Sequence, residues 1–416
     1  MRQGRRMAMA FSLAASLALV AAACGSDNSS SSSAGNATTT AGATTTATGT
    51  TTTTAGGGTT TTTAAAAGGA GGTGTCKAGT AQSTPIQTQT GDGKGKSVGL
   101  LFDVTGRGDK SFNDGAAAGL DKAKADFGIT GNESTPTAQD GSDRPERIKA
   151  FVGSNDLVSA VGFLWDAAVT ASAAENPNQK FSIIDDVVFT VGADGKPTTT
   201  PAPNVRSMVF AANEGSFLVG AAAACASKSG KIGFIGGVEN DLIKNFEVGF
   251  TAGVKQVNPK ATVEVKYITQ PPDFSGFNDP AKGKSIAKAM YDGGIDVVYA
   301  AAGGSGKGMF EAVTETGKKP GEVYAIGVDS DQYQTVSPDQ QPYVLTSALK
   351  RVDVATYEAI ADMVNGKFAG AVKTYDLKNN GVGYAASNKD INKYAGTLDD
   401  LKQQIIDGKI QVPHVP

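Results

Sequence analysis

Histidine is almost missing from this 416-residue chain, and the one copy, His414, is third from the end. Catalysis through an imidazole and His-ligated metal sites are therefore not expected, because a lone histidine in a terminal segment has no positioned partner. Cysteine is nearly as scarce. Cys24, Cys76 and Cys225 show no C-x-x-C spacing, which excludes a thiolate metal site. Charged residues make up 19% with a net charge of −3, so nothing suggests a surface for a nucleic-acid polymer. Long hydrophobic runs are also absent. The longest apolar stretch, Met7–Ala22, is too short and too Ala-rich to span a bilayer as a helix. No cofactor fingerprint stands out.

That stretch has another reading. Arg2, Arg5 and Arg6 precede it and Leu19-Val20-Ala21-Ala22-Ala23-Cys24-Gly25 ends it, so residues 1–23 read as a signal peptide. Small residues before a cysteine resemble the bacterial lipobox, which makes Cys24 the expected lipidation site. The alternative is an ordinary secretory signal with a cysteine close by. Either way the protein is expected outside the cytoplasm, and lipidation would hold it at the outer face of the membrane. Residues 24–96 are mostly Ser, Thr, Ala and Gly with almost no large apolar residue, and are expected to form a disordered tether. About seventy flexible residues would give a reach of about 45 Å. Cys76 and Cys225 could form a disulfide in an oxidising compartment, or remain separate thiols.

From Ser97 onward short β-like runs alternate with helical stripes. The strands are expected at Val98–Phe102, Leu157–Phe163, Phe181–Ile184, Val205–Phe210, Lys231–Ile235, Val263–Ile268, Asp296–Ala300, Val323–Val328 and Tyr343–Ala348. Helices are expected at Ser111–Asp126, Glu214–Ser227, Leu242–Val257, Ala281–Tyr291 and Lys307–Thr316, with a later stripe at Val354–Val364 and a last helix capped by Thr397. The alternation predicts an α/β fold with parallel sheets, and about 310 residues favour two lobes over one core. The stretch VGLLFDVTGRGDKSFNDG, Val98–Gly115, reads as a strand, a Gly turn and a helix with Ser111 as N-cap. It places Asp103, Phe112 and Asn113 at the carboxyl end of the strand, the edge where open α/β sheets bind ligands. Phe163 and Trp165 follow another strand end and are further cleft candidates. The run AGGSGKG at Ala302–Gly308 fails the phosphate-loop pattern, with Ala301 where that loop needs Gly and Gly308 where it needs Ser or Thr. It fits better as a turn, around Gly304, that lets backbone approach a ligand.

Several blocks resemble one family in order: GRGDKSFNDGAAAGL, VGFLWDAAVTASAAENPNQKFSIID, NEGSFLVGAAAACASKSGKIGFIGGVEN, FNDPAKGKSIAKAMYDGGIDVVYAAAGGSGKGMFEAV, YAIGVDSDQ and VLTSALKRVD. Together they resemble the basic membrane protein (PnrA-like) lipoproteins, the solute-binding subunits of ABC importers for purine and other nucleosides. The resemblance implies the type I periplasmic-binding fold, two α/β lobes joined by a three-segment hinge near Val205–Ala212, Leu345–Lys350 and Lys373–Leu377. One lobe would comprise residues 97–210 and 351–372, and the other residues 211–350 and 373–416. It implies a monomer that hands a nucleoside to a membrane permease, with no catalytic role and no cofactor.

The resemblance also implies roles. Phe112 and Phe277 would stack on the base, although the spacing of Phe112 from Ala116 and Leu120 equally suits a core position. Asp103, Asn113 and Asp185 would read the base edge, with Asp186 the neighbouring competitor for the last. Asp329 and Lys350 would take the ribose hydroxyls and could pair with each other. Two rival readings remain: the same fold around a sugar or other metabolite, and a nucleoside-cleaving enzyme with a metal on Asp103, Asp185, Asp329 and Asp331. The second is disfavoured because those residues lie on separate strands.

Overall fold

The computed structural model describes residues 76–138 and 141–415; the expectations placed on the signal segment, Cys24 and residues 24–75 lie outside the described residues. In chain order the first half runs β1 (Ser97–Leu101), α1 (Phe112–Phe127), β2 (Thr130–Ser134), α2 (Arg144–Phe151), β3 (Leu157–Val161) and α3 (Asp166–Glu175). It continues through β4 (Lys180–Ile184), a hairpin of β5 (Phe189–Val191) and β6 (Pro197–Pro201), and β7 (Val205–Phe210). Next come α4 (Ala212–Ala226), β8 (Lys231–Val238), α5 (Asp241–Val257), β9 (Thr262–Thr269), α6 (Pro280–Asp292), β10 (Val297–Ala301), α7 (Gly306–Thr314), β11 (Tyr324–Asp329) and β12 (Val344–Lys350). The chain ends with α8 (Val352–Val364), β13 (Ala371–Tyr375), β14 (Val382–Tyr384) and α9 (Ala395–Ile406).

These strands form two six-stranded sheets, ordered β13-β7-β4-β3-β1-β2 and β14-β12-β11-β10-β8-β9. Every pairing within them is parallel except β12 with β14. Runs such as Leu157–Val161 and Val297–Ala301 are buried at every position, because helices cover both faces of a parallel sheet. Each sheet is the centre of one lobe. In the first lobe α1 and α8 share an apolar cluster through Leu120, Phe127, Ala355 and Ile360. In the second, α4 and α5 approach so closely that a Cβ on Gly253 would lie 1.9 Å from the Phe217 carbonyl oxygen, and one on Gly220 2.1 Å from that of Phe250.

The chain passes between the lobes at Ala211, at Arg351 and over residues 376–381. The last crossing falls later than the expected Lys373–Leu377. Thr374 and Tyr375 still pair with β7, so residues 373–375 belong to the first sheet and not to the second lobe.

Residues 76–96, expected to be disordered, lie along the body. Cys76 is joined to Cys225 by a disulfide with Cα atoms 5.9 Å apart. Gly79 N–H donates to the Asn392 carbonyl at 2.8 Å, Ala81 is buried in the second-lobe core, and Gln89 N–H donates to the Tyr357 hydroxyl at 2.9 Å. Polar residues here find fixed partners, which composition cannot reveal. Thr397 does not start α9. The helix begins at Ala395, and Thr397 Oγ1 accepts the Lys77 N–H at 2.7 Å.

Candidate functional site

Both sheets have the strand order in which β1 and β3, and likewise β8 and β10, lie side by side with their following helices on opposite faces. That switch point opens a crevice at the carboxyl edge, and here the two crevices face one another. Asp103 follows β1, Gly162 and Phe163 follow β3, Leu242 lies on α5 after β8, and Gly303 and Gly304 follow β10. All of them line one cavity with about 530 Å³ of atom-free space, its mouth included.

The two neighbouring strands complete the wall. Asp185 follows β4 and Asp329 ends β11, which is the equivalent strand of the other lobe. Both adopt left-handed backbone, with φ of 70° and 64°. A non-glycine residue rarely takes that conformation, and such strain concentrates at functional sites. Asp186, the competitor of Asp185, does not line the cavity; its carboxylate accepts the Val187 N–H at 2.7 Å.

Asp103, Phe112, Asn113, Phe163, Asp185, Phe277, Gly304, Asp329 and Lys350 all line this cavity. Trp165 does not. It is fully buried behind β1, where its Nε1–H donates to the Phe102 carbonyl at 3.0 Å, so it is core and not cleft. Asn113 lines the cavity, but its amide is already engaged. Oδ1 accepts the Asp103 N–H at 2.8 Å, while Nδ2 donates to Thr105 Oγ1 and Asp109 Oδ2 at 2.7 and 3.0 Å. With both amide hydrogens used, Asn113 shapes the Asp103 loop and has no donor left for a base edge. Asp331, the fourth carboxylate of the metal reading, lies apart and accepts from Ser387. Among the described residues no group of three or more His, Cys, Asp or Glu is arranged to hold a metal ion.

Ser111 also has a different job from the one expected. It makes no side-chain cap to α1. Asp109 does the capping, accepting the N–H groups of Ser111, Asn113 and Asp114 at 2.8–3.1 Å. The Ser111 hydroxyl instead crosses the cleft and donates to Asp329 Oδ2 at 2.6 Å. Around it Ser330 Oγ and Gln332 Nε2 donate to the Lys110 carbonyl at 3.0 and 2.9 Å, and Lys307 Nζ donates to that of Gly108 at 2.6 Å. The lobes are closed on this loop.

Lys350 does not pair with Asp329 as expected. Its ammonium bonds Asp185 of the opposite lobe, with both side chains buried, and lies 4.6 Å from the Phe112 ring centroid and 5.2 Å from that of Phe210. Phe112 is half-buried and faces the cavity, as does Phe277, whose ring packs against Gly237 of β8. Phe163 meets Phe274 edge-on across the cleft, with centroids 5.9 Å apart.

The cavity is acidic. Burial pushes Asp103 up to about 6, opposed by the Val104 N–H and Arg144. Burial also pushes Asp329 up to about 6, opposed by Lys350 and the Ser111 hydroxyl. Asp109 is raised by burial as well. Asp185 Oδ1 is buried and accepts no hydrogen bond. The arrangement is a set of buried acceptors between phenyl rings, suited to a flat molecule carrying N–H and O–H donors.

Sequence comparison gives a consistent result. A family model described as ABC transporter substrate-binding protein PnrA-like matches residues 96–415. The chain is 34% identical over 357 residues to the ABC transporter nucleoside-binding protein BmpA of Lactococcus lactis, covering 81% of this chain and 93% of that one. It is 35% identical over 354 residues to a CD4+ T-cell-stimulating antigen of Listeria innocua, covering 81% and 94%. An uncharacterized lipoprotein of Pyrococcus horikoshii is 34% identical over 321 residues, covering 74% and 75%. Among solved structures, a solute-binding protein of an ABC transporter system from Aeropyrum pernix superposes with a TM-score of 0.65 at 29% identity, covering 76% and 94%. One from Conexibacter woesei does so with 0.58 at 22%, covering 77% and 99%, a likeness of fold.

Proposed function

The chain belongs to the PnrA-like family of ABC transporter substrate-binding proteins, and from that premise we propose that its cleft binds nucleosides and delivers them to a membrane permease. The observation that carries this reading is the pairing of chemistries in one cavity. Phe112 and Phe277 supply ring faces from opposite lobes, and Asp103, Asp185 and Asp329 supply buried carboxylates. A nucleoside meets both, with a base that stacks and amino and hydroxyl groups that donate. The Lactococcus relative, named as nucleoside-binding, supports the same ligand class.

The charge balance narrows the class. Asp103, Asp109, Asp185 and Asp329 face the cavity with Lys350 as the one cation among its lining residues. A phosphate there would meet uncompensated negative charge, so the site accepts nucleosides and rejects nucleotides. Asp103, Phe112, Phe163, Asp185, Phe277, Gly304, Asp329 and Lys350 would contact the ligand, and Asn113 would hold the loop that presents Asp103. The protein is a carrier and not an enzyme in this reading. Cys24 would bear the lipid that keeps the protein at the outer face of the membrane.

Titration calorimetry with adenosine, guanosine, inosine, uridine and AMP tests the reading. Heat is expected with one or more of the nucleosides and none with AMP. Phe277→Ala should weaken binding about tenfold or more, the loss expected for one stacked ring. No heat from any nucleoside, with binding to a sugar instead, would overturn the ligand class while leaving the family intact.

A further inference from the structure

Behind the cleft wall sits a cation that no ligand contact explains. Arg144, at the start of α2, is 4% exposed, and its Nη2 lies 3.5 Å from Asp103 Oδ1. The guanidinium faces the Trp165 ring at 5.7 Å, and among the described residues its Nε and Nη2 find no partner at hydrogen-bond geometry. A buried guanidinium with unmade hydrogen bonds is costly, and a residue that only filled space could be apolar at less cost. We propose that Arg144 is a positioning residue that holds Asp103 as an ionised acceptor facing the cleft, so that this end of the site selects ligand N–H and O–H donors over acceptors. This rests on the reading of the cavity as the ligand site.

The surroundings of Asp103 support it. Its Oδ1 faces Arg144 and accepts the Val104 N–H at 2.8 Å, while Oδ2 is turned toward Gly162, where a Cβ would lie 2.7 Å away. Gly162, with φ of 103°, thus keeps the second oxygen uncovered by a side chain. Trp165 fixes both partners, bonding the Phe102 carbonyl one residue before Asp103 and standing against the guanidinium. The charged groups acting on Asp103 are Arg144 from α2 and Asp185 after β4, the latter bonded to Lys350 from β12. Burial and Asp185 both favour the protonated carboxyl, and Arg144 is the cation that opposes them. Without Arg144 the carboxyl would keep its proton to higher pH and present an O–H donor, inverting what it recognises.

The test follows the Asp103 carboxyl carbon by NMR in ligand-free protein labelled at aspartate, with the signal identified by its loss in Asp103→Asn. In the unmodified protein the midpoint is expected near 6. Arg144→Met should raise it by about one pH unit or more, and Arg144→Lys, which keeps the charge, should bring it back most of the way. At pH 7 the affinity for adenosine should fall about twofold in Arg144→Met and less in Arg144→Lys, because a midpoint moved from about 6 to about 7 cuts the ionised fraction from about nine-tenths to about one-half. A midpoint that does not move in Arg144→Met, or that Arg144→Lys fails to restore, overturns the proposal. Because the titration needs no ligand, a protein that binds no nucleoside would refute the functional reading and leave this result standing.

Discussion

Asp329 shows how much one residue can be asked to do. It ends a strand in left-handed backbone, receives the Ser111 hydroxyl from the other lobe, and is buried enough that its carboxyl is raised to about 6. Asp103 and Asp186 are raised to about 6 as well, again mainly by burial. A carboxyl whose folded value exceeds its unfolded one near 3.8 gives stability that is complete below that value and is lost as pH rises through the folded one. Ligand-free protein should therefore lose melting temperature between about pH 4 and pH 6.5. Asp329→Asn should flatten that slope, because the amide keeps the acceptor for Ser111, tolerates left-handed backbone and has no charge to bury. At pH 7 the variant should gain up to about 3 kcal/mol from this source, the free energy that corresponds to raising a carboxyl from 3.8 to about 6. Melting curves across pH 4–7.5 decide it, and an unchanged slope would show that Asp329 is not a group that burial penalises. Ser111 and Asp109 mark what the sequence cannot resolve at this scale. Both stand just ahead of the helix with side chains able to cap it, and only the approach of Asp329 from 218 residues away in sequence assigns one to the cap and the other to the cleft.

Elements were legible where their apolar pattern is set by burial. β3 and β10 are buried at every position, and both are readable as short apolar runs, broken in β3 only by Ser159. Among those that escaped, two have little to bury: β2 (TGNES) is a mostly exposed edge strand, and β6 (PTTTP) is exposed throughout. β14 is short and pairs antiparallel only because the chain returns from the first lobe beside β12. α2 was missed for a different reason. Its sequence RPERIKAF is largely charged, and its one conspicuous contact, Arg144 behind Asp103, is tertiary. The pairing of α4 with α5 gives a test at this scale. Gly253 lets α5 lie against the Phe217 carbonyl, and Gly253→Ala would force a methyl group to within 1.9 Å of that oxygen. Overpacking of this kind costs about 1–3 kcal/mol, so the chemical-denaturation midpoint should fall with little change in slope. Of the cleft-lining residues only Leu242 lies on α5, at its start and three turns from Gly253, so ligand affinity in the folded variant should stay unchanged. A variant as stable as the parent would show that the helices can part without loss.

At the scale of the whole molecule, four segments among the described residues tie the lobes. Besides the crossings at Ala211, Arg351 and 376–381, the segment before β1 runs from one lobe to the other. On the second lobe Cys76 is bonded to Cys225 of α4, and Lys77, Gly79 and Ala81 bond Thr397 and Asn392. At the hinge the Thr84 carbonyl accepts from Arg351, and on the first lobe Gln89 and Thr90 bond Tyr357 and Asn365. Any hinge motion that parts the cleft must carry this strap with it, and the disulfide fixes its far end. Cys76→Ser with Cys225→Ser should lower stability by about 2–4 kcal/mol, as expected for a bridge closing so long a loop. It should also raise amide hydrogen exchange in residues 82–93, with a smaller rise in α8, which the strap touches through Tyr357 and Asn365. The same pattern should follow reduction of the unmodified protein. If exchange rises only around Cys225 and α9 while residues 82–93 and α8 keep their protection, the bridge staples the second lobe alone, and the hinge turns on three segments rather than four.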